Sequence, residues 1–283
     1  MIGQIKRTPI SYWGGKQKLW QFIERCIPDH HTYIEPFVGG GAVFWLKSDA
    51  QKSVLNDLNN FVINFYWVVK NKFFELDSLI QSSLHSRNLH EQAKKMYKHP
   101  QHFSRVELAW SFWYLTNFSL MQGLDSASMQ SARREDRVGL RVHHRKEQFD
   151  ILLSQKLKYT TLENRDALWI IDFYDWEQAF FFVDPPYIGT NCGHYHGYTS
   201  EDFTQLLAKL HTIKGKFLLT CYPNDVLVHA VQQYHYHHHI IRLQKDSATF
   251  NSGSKVMKEE MFVANFPFDP FTHQEPIREF IFA

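Results

Sequence analysis

Apolar and polar positions alternate along this chain with two periods, and the switches between them outline its elements. In residues 16–27, Leu19, Phe22, Ile23 and Cys26 recur at helical spacing until Pro28 ends the pattern. Residues 32–35 read as a short buried strand. It is broken by Pro36 and by Gly39, Gly40 and Gly41, after which Ala42, Val43, Phe44, Trp45 and Leu46 resume in helical style. A second strand at 53–55 ends at Asn56 and Asp57 and leads into a long apolar helix through Phe61, Phe65 and Val68. Two strand–helix units in succession predict a parallel, doubly wound sheet.

The character changes from about residue 70 to 157. Helices rich in Lys, His and Gln flank a strongly aromatic one carrying Trp110, Phe112, Trp113, Tyr114 and Phe118, and no strand alternation is clear. Small and polar residues predict a mobile loop over 122–141. The strand pattern returns at 159–162, 179–183, 217–221, 238–243 and 261–266, with helices at about 166–173, 200–213 and 223–234. The outline is one α/β domain, residues 1–69 and 158–283, split by a helical insertion at 70–157.

Composition narrows the class. With 283 residues, 44% hydrophobic and 16% aromatic, the chain can bury a large core. No apolar stretch approaches the ~20 residues needed to cross a bilayer, and residues 1–9 lack a signal-peptide pattern, so a soluble, cytoplasmic protein without membrane partners is expected. Cys26, Cys192 and Cys221 are too scattered for a disulfide framework or a metal knuckle. His235, His237 and His239 alternate but have no acidic or cysteine partner at ligand spacing, and no metal is expected. The net charge is only +2, so attraction to nucleic acid has to come from local clustering. The densest cluster is at 133–146, with Arg133, Arg134, Arg137, Arg141, Arg145 and Lys146.

Chemistry enters with FFFVDPPY. The apolar run reads as a central strand, which puts Asp184 at its C-terminal end, where open α/β sheets bind ligands. Pro185 and Pro186 lock the backbone and remove two N–H donors, leaving the Asp184 carboxylate and the Pro185 carbonyl as acceptors. Two fixed acceptors suit an exocyclic amine, and Tyr187 offers a face on which its ring can stack. The tetrapeptide arises by chance on the order of once in a thousand chains of this size. The other informative stretch is Tyr33-Ile34-Glu35-Pro36-Phe37-Val38-Gly39-Gly40-Gly41. A glycine turn after a first strand lets backbone approach a cofactor, yet the pattern is neither GxxxxGK[ST] nor GxGxxG. Asp57, about 20 residues further on, stands where an acidic side chain takes ribose hydroxyls. S-adenosylmethionine, a nucleoside that needs no phosphate cradle, fits.

Together these motifs resemble the Dam-type, D12-class DNA adenine-N6 methyltransferases. Ser11-Tyr12-Trp13-Gly14-Gly15-Lys16, EPFVGGG, Asn56-Asp57, the helical insertion, Asp166, DPPY and Lys255-Val256-Met257-Lys258-Glu259-Glu260 stand in that family's order. The resemblance implies a Rossmann-like, S-adenosylmethionine-dependent methyltransferase fold with a mixed, mainly parallel sheet and a helical target-recognition insertion. It implies transfer of a methyl group to the N6 amine of an adenine flipped out of double-stranded DNA. Residue by residue, it implies cofactor contacts from Tyr12, Trp13, Lys16, Glu35, Phe37, Gly39, Gly41, Asp57, Asp166 and Asp184, and catalysis by Asp184, Pro185, Pro186 and Tyr187. Arg133, Arg134, Arg137 and Arg141 are the expected DNA contacts. A monomer is expected, and a cognate restriction endonuclease is a partner such enzymes have. GATC-specific relatives usually carry a lysine just before the N-terminal aromatic, where Ser11 stands here, so the resemblance does not extend to GATC specificity. Cytosine N4, adenine in RNA, and a non-catalytic DNA-binding role stay open as alternatives.

Overall fold

The structure, a computed structural model, describes residues 5–12, 14–120, 124–126, 128–129, 137–188, 198–244 and 257–271. A 3-10 turn over Lys16–Leu19 runs into α1 (Trp20–Cys26), followed by β1 (Thr32–Glu35), α2 (Ala42–Leu46), β2 (Lys52–Asn56) and α3 (Asn60–Asn71). Helices α4 (Phe73–Ser82), α5 (Arg87–Lys98), α6 (Arg105–Phe118), α7 (Arg137–Glu147) and α8 (Ile151–Leu157) come next. The chain then re-enters the sheet through β3 (Thr160–Glu163), α9 (Ala167–Tyr174), β4 (Ala179–Val183), α10 (Ser200–His211) and β5 (Lys216–Cys221). It continues with α11 (Asp225–Tyr234), β6 (His237–Gln244) and β7 (Met257–Ala264).

The seven strands lie in the order β3-β2-β1-β4-β5-β7-β6. β1 to β5 are mutually parallel, while β7 runs antiparallel to both β5 and β6. The chain winds outward from β1 on one side and returns to β4 on the other. The switch between β1 and β4 opens a crevice at the carboxyl ends of the strands, the general ligand position in such sheets. Because β7 is reversed, its first half lies at that same edge, with Cys221 opposite Met261.

Central strands covered on both faces need unbroken apolar runs, and β4 (AFFFV) is buried at every position. One face packs Ile34, Val54, Phe181, Leu207 and Leu227 into a core beneath α9, α10 and α11. The other joins Tyr33 and Leu55 of the sheet to Phe65 of α3, to Phe112 and Trp113 of α6 and to Leu153 of α8, so the inserted helices share the sheet's core. Helix α6 starts at a capping box, in which Ser104 and Glu107 satisfy each other's backbone N–H groups. Its residues from Ala109 to Phe118 are all buried, as expected of a helix apolar on every side.

Two sequence expectations change. The loop foreseen over 122–141 is helical from Arg137 onward, because Val142 and Phe149 bury in the core and Arg145 is tied to the N-terminal segment. The alternation of His235, His237 and His239 is also not that of one strand: β6 begins at His237, and His235 ends α11 in a left-handed conformation, φ 56°. No described helix is long and apolar enough to cross a membrane.

Candidate active site

Asp184 directly follows β4 and meets Lys16 from the N-terminal segment. The Lys16 ammonium lies 2.6 and 2.7 Å from the two Asp184 oxygens, 2.7 Å from the Tyr187 hydroxyl and 2.9 Å from the Gly14 carbonyl, which it reaches across a turn with Gly14 at φ 69°. Thr220 of β5 donates to Asp184 at 3.3 Å. Glu260, from the reversed strand, accepts the Tyr187 hydroxyl and stands 3.4 Å from Lys16. Tyr222 packs edge-on against Tyr187 at 4.3 Å between ring centroids.

Lys16 is 3% exposed, Glu260 1% and Asp184 19%, so the cluster is dry enough for its charges to interact strongly. Burial alone would lower the Lys16 pKa, but Asp184 and Glu260 outweigh it and hold the ammonium above its ordinary range. Burial, with Glu260 nearby, raises the Asp184 carboxyl against the opposing pull of Lys16. Burial first, then both carboxylates, pushes the Tyr187 phenol well up, so it donates as a neutral hydroxyl.

Beside this cluster lies a cavity of about 720 Å³, reaching from Pro186 to the ends of β1 and β2. Pro36, Phe37, Asp57 and Asp166 line it together with Phe61, Tyr97 and Tyr198. Such a volume suits a nucleoside-sized ligand. Phe61 and Tyr97 pair at 4.2 Å between centroids and form an aromatic wall.

A family model for the D12 class of N6 adenine-specific DNA methyltransferases matches residues 12–250. The chain belongs to that class. Among similar proteins, the DNA N-6-adenine-methyltransferase of Escherichia phage P1 is 35% identical over 88 residues, 31% of this chain and 12% of that protein. The DNA adenine methylase of Vibrio cholerae is 40% identical over 65 residues, 23% of each chain. The Type II methyltransferase M.MjaIII of Methanocaldococcus jannaschii is 31% identical over 225 residues, 69% of this chain and 74% of that one. The matched stretch thus spans about a quarter or less of the first two relatives and about three quarters of the third. The sheet of this D12-class protein is Rossmann-like and mainly parallel.

Against that class, the residues singled out in the sequence fall into groups. Lys16, Asp184 and Tyr187 come together in the charged cluster, and Pro186 links it to the cavity. Phe37, Asp57 and Asp166 reach the cavity. Asp57 is already engaged, accepting from the Gly39 and Asn59 amides at 2.8 Å each, so it also shapes the glycine turn. Asp166 caps α9 through Oδ1, which accepts from Leu168 at 2.9 Å and Trp169 at 3.3 Å, while Oδ2 has no protein donor among the described residues. Capping and ligand contact are therefore compatible. Gly39, Gly41 and Tyr12 do not line this cavity; Tyr12 packs its ring on Gly39 instead. Glu35 faces away, accepting from the Tyr33 hydroxyl and the Phe44 amide. Trp13, Arg133 and Arg134 lie outside the described residues, as do Cys192, Lys255 and Val256. Arg137 and Arg141 are on α7, with the Arg141 side chain exposed.

Sequence reasoning missed Thr220, Tyr222, the Phe61–Tyr97 wall and the role of Glu260. A signal for Glu260 exists: an acidic residue opening the apolar run Met261-Phe262-Val263-Ala264 is buried with its strand. Ser11 was noted only as a departure. In the structure it accepts from Arg145 of α7 at 2.6 Å and donates to Asn117 of α6 at 3.2 Å, tying the segment that carries Lys16 to the insertion.

Proposed function

We propose that this protein transfers a methyl group from S-adenosylmethionine to the N6 amine of adenine in double-stranded DNA. The observation that carries the reading is the Asp184 carboxylate, held by Lys16 at the carboxyl end of β4 beside a nucleoside-sized cavity. The residues present fit S-adenosylmethionine. Phe61 and Tyr97 offer an apolar wall to a purine, the Asp166 oxygen unshared among the described residues an acceptor for its amine, and Asp57 a carboxylate at the end of β2 for ribose hydroxyls. When bound, that cofactor supplies an electrophilic methyl group on a sulfonium.

The protein's part is to make a poor nucleophile attack. The N6 lone pair of adenine is conjugated with the ring. Hydrogen bonds from the amine to Asp184 and to the Pro185 carbonyl favour a pyramidal nitrogen and stabilise the positive charge that develops on it. Pro185 and Pro186 fix those acceptors, and Tyr187, whose hydroxyl is anchored by Glu260, presents its ring to the flipped base. No covalent enzyme intermediate is required. Cys221 lies nearby, but burial pushes its thiol up to about 12, which makes it a poor nucleophile.

In this reading residues 1–69 and 158–283 are the catalytic domain and the helices within 70–157 the target-recognition module, with Arg137 and Arg141 of α7 contacting DNA. The protein acts as a monomer in the cytoplasm, with or without a cognate restriction endonuclease. Asp184→Ala is expected to abolish transfer while keeping S-adenosylmethionine affinity within about tenfold. The check is mass spectrometry of nucleosides from genomic DNA of a methylation-free host, incubated with each protein. Near-normal N6-methyladenine from the variant would refute the assignment, and N4-methylcytosine from the wild type would redirect it to the other base.

A further inference from the structure

Asp184 faces a conflict in its proposed task. To receive the target amine it has to offer an oxygen, yet Lys16 holds both of them, at 2.6 and 2.7 Å. Removing the ammonium outright would leave unpaired charges in a buried site. The structure contains a second resting place for it. Glu260 is 1% exposed, and its Oε1 accepts the Tyr187 hydroxyl while standing 3.4 Å from the Lys16 nitrogen. Among the described residues its Oε2 accepts no hydrogen bond, and it lies 3.5 Å from the Lys258 ammonium, so within that set the carboxylate has unused capacity. A displacement of Lys16 by less than an ångström would convert the 3.4 Å ion pair into a hydrogen bond and loosen the hold on Asp184.

We propose that Glu260 is a positioning residue that takes over Lys16 as the target amine reaches Asp184, releasing an Asp184 oxygen without stranding the ammonium. The inference rests on amine methylation at Asp184 and adds the device that frees the acceptor. Among the described residues, the charged or titratable groups around Glu260 are Lys16, Asp184, Tyr187, Lys258 and Cys221, with Tyr222 packed on Tyr187 and under the Lys258 ammonium. Lys16 stays an ammonium in either position, since both carboxylates stabilise it. Tyr187 and Cys221, both pushed up, stay neutral near pH 7. Asp184 has to be ionised to receive the amine, and its ionisation is the one that Glu260→Gln leaves in place at the acid end of the rate profile.

The experiment is single-turnover methyl transfer to genomic DNA from a methylation-free host across pH, with S-adenosylmethionine affinity measured by calorimetry. Glu260→Gln keeps an acceptor for the Tyr187 hydroxyl but removes the charge. Its transfer rate is expected to fall at least about tenfold, with cofactor affinity within about threefold of wild type. Its acid limb should move to lower pH, because Asp184 loses a neighbouring negative charge. Glu260→Asp, which keeps the charge one carbon further back, should give an intermediate rate with the limb in its wild-type place. A wild-type rate in Glu260→Gln, or a slow rate with an unmoved limb, would overturn the inference and leave adenine methylation intact. If Glu260→Gln does not fold, an unimpaired Glu260→Asp overturns it instead. A wild-type protein that methylates no adenine overturns both readings.

Discussion

A buried carboxylate has two ways to survive in a core: a counter-ion or a proton. Asp184 follows the first, beside Lys16. Glu35 follows the second. It accepts from the Phe44 amide at 2.8 Å and from Tyr33, forms no ion pair among the described residues, and burial pushes its carboxyl up to about 8. The unfolded chain releases that proton near pH 4.3, so between there and about pH 8 the folded state alone retains it. Stability contributed by this group is full below the unfolded value and lost as pH rises through the window, by up to about 5 kcal/mol. Glu35→Gln keeps the acceptor and has no proton to lose. Its melting temperature should exceed that of the wild type at pH 8, with the gap closing toward pH 4.5. Parallel melting curves at all pH values would show that Glu35 is charged in the fold.

At the scale of elements, the glycine turn between β1 and α2 couples local geometry to the site. Gly39 has φ +45°, and a Cβ there would sit 2.9 Å from Tyr12 Cδ1, whereas Gly14, at φ +69°, has nothing within 4 Å of such an atom. Gly14→Ala should therefore lose about 1 kcal/mol of stability from backbone strain alone. Gly39→Ala adds the displacement of a buried ring and should lose about 2 kcal/mol or more, read by urea unfolding. Equal losses would mean that Tyr12 gives way freely. The glycine turn was legible in the sequence because Gly and Pro punctuate strands, and β4 because five consecutive buried positions leave no other pattern. Helix α7 was not legible in full. Its sequence RVGLRVHHRKE is polar and contains a glycine, and tertiary ties from Val142 and Arg145 override that local preference. Glu260 escaped for a related reason. Among Lys258, Glu259 and Glu260 only strand alternation separates the residue that pairs outward with Arg242 at 2.9 Å, Glu259, from the one that turns into the site.

Over the whole molecule, the helices between α3 and β3 interrupt the sheet in sequence but not in packing. Tyr97 of α5 packs at a tilt against Phe61 of α3 in the cavity wall, and Trp113 of α6 shares one apolar cluster with Tyr33 of β1. Segments that share a core open together. Native-state hydrogen exchange should give the amides of α6 and β4 the same opening free energy, equal to that of global unfolding. A markedly lower value in α6 would mean that the inserted helices melt as a separate unit. The motifs stood in the expected order because chemistry clusters at strand ends, while the shared core depends on aromatic contacts across long sequence separations that no local pattern encodes.

The reversal of β7 also orders events during synthesis. A ribosome delivers Lys16 and Asp184 first, and Glu260 emerges 76 positions after Asp184. Until then the nascent sheet ends at β5 with an open edge, and Tyr187 lacks the acceptor that anchors its hydroxyl. The last strand thus completes the site: in a chain stalled before it Lys16 and Asp184 can already pair, while Tyr187 still lacks its acceptor and the ammonium has no second carboxylate beside it.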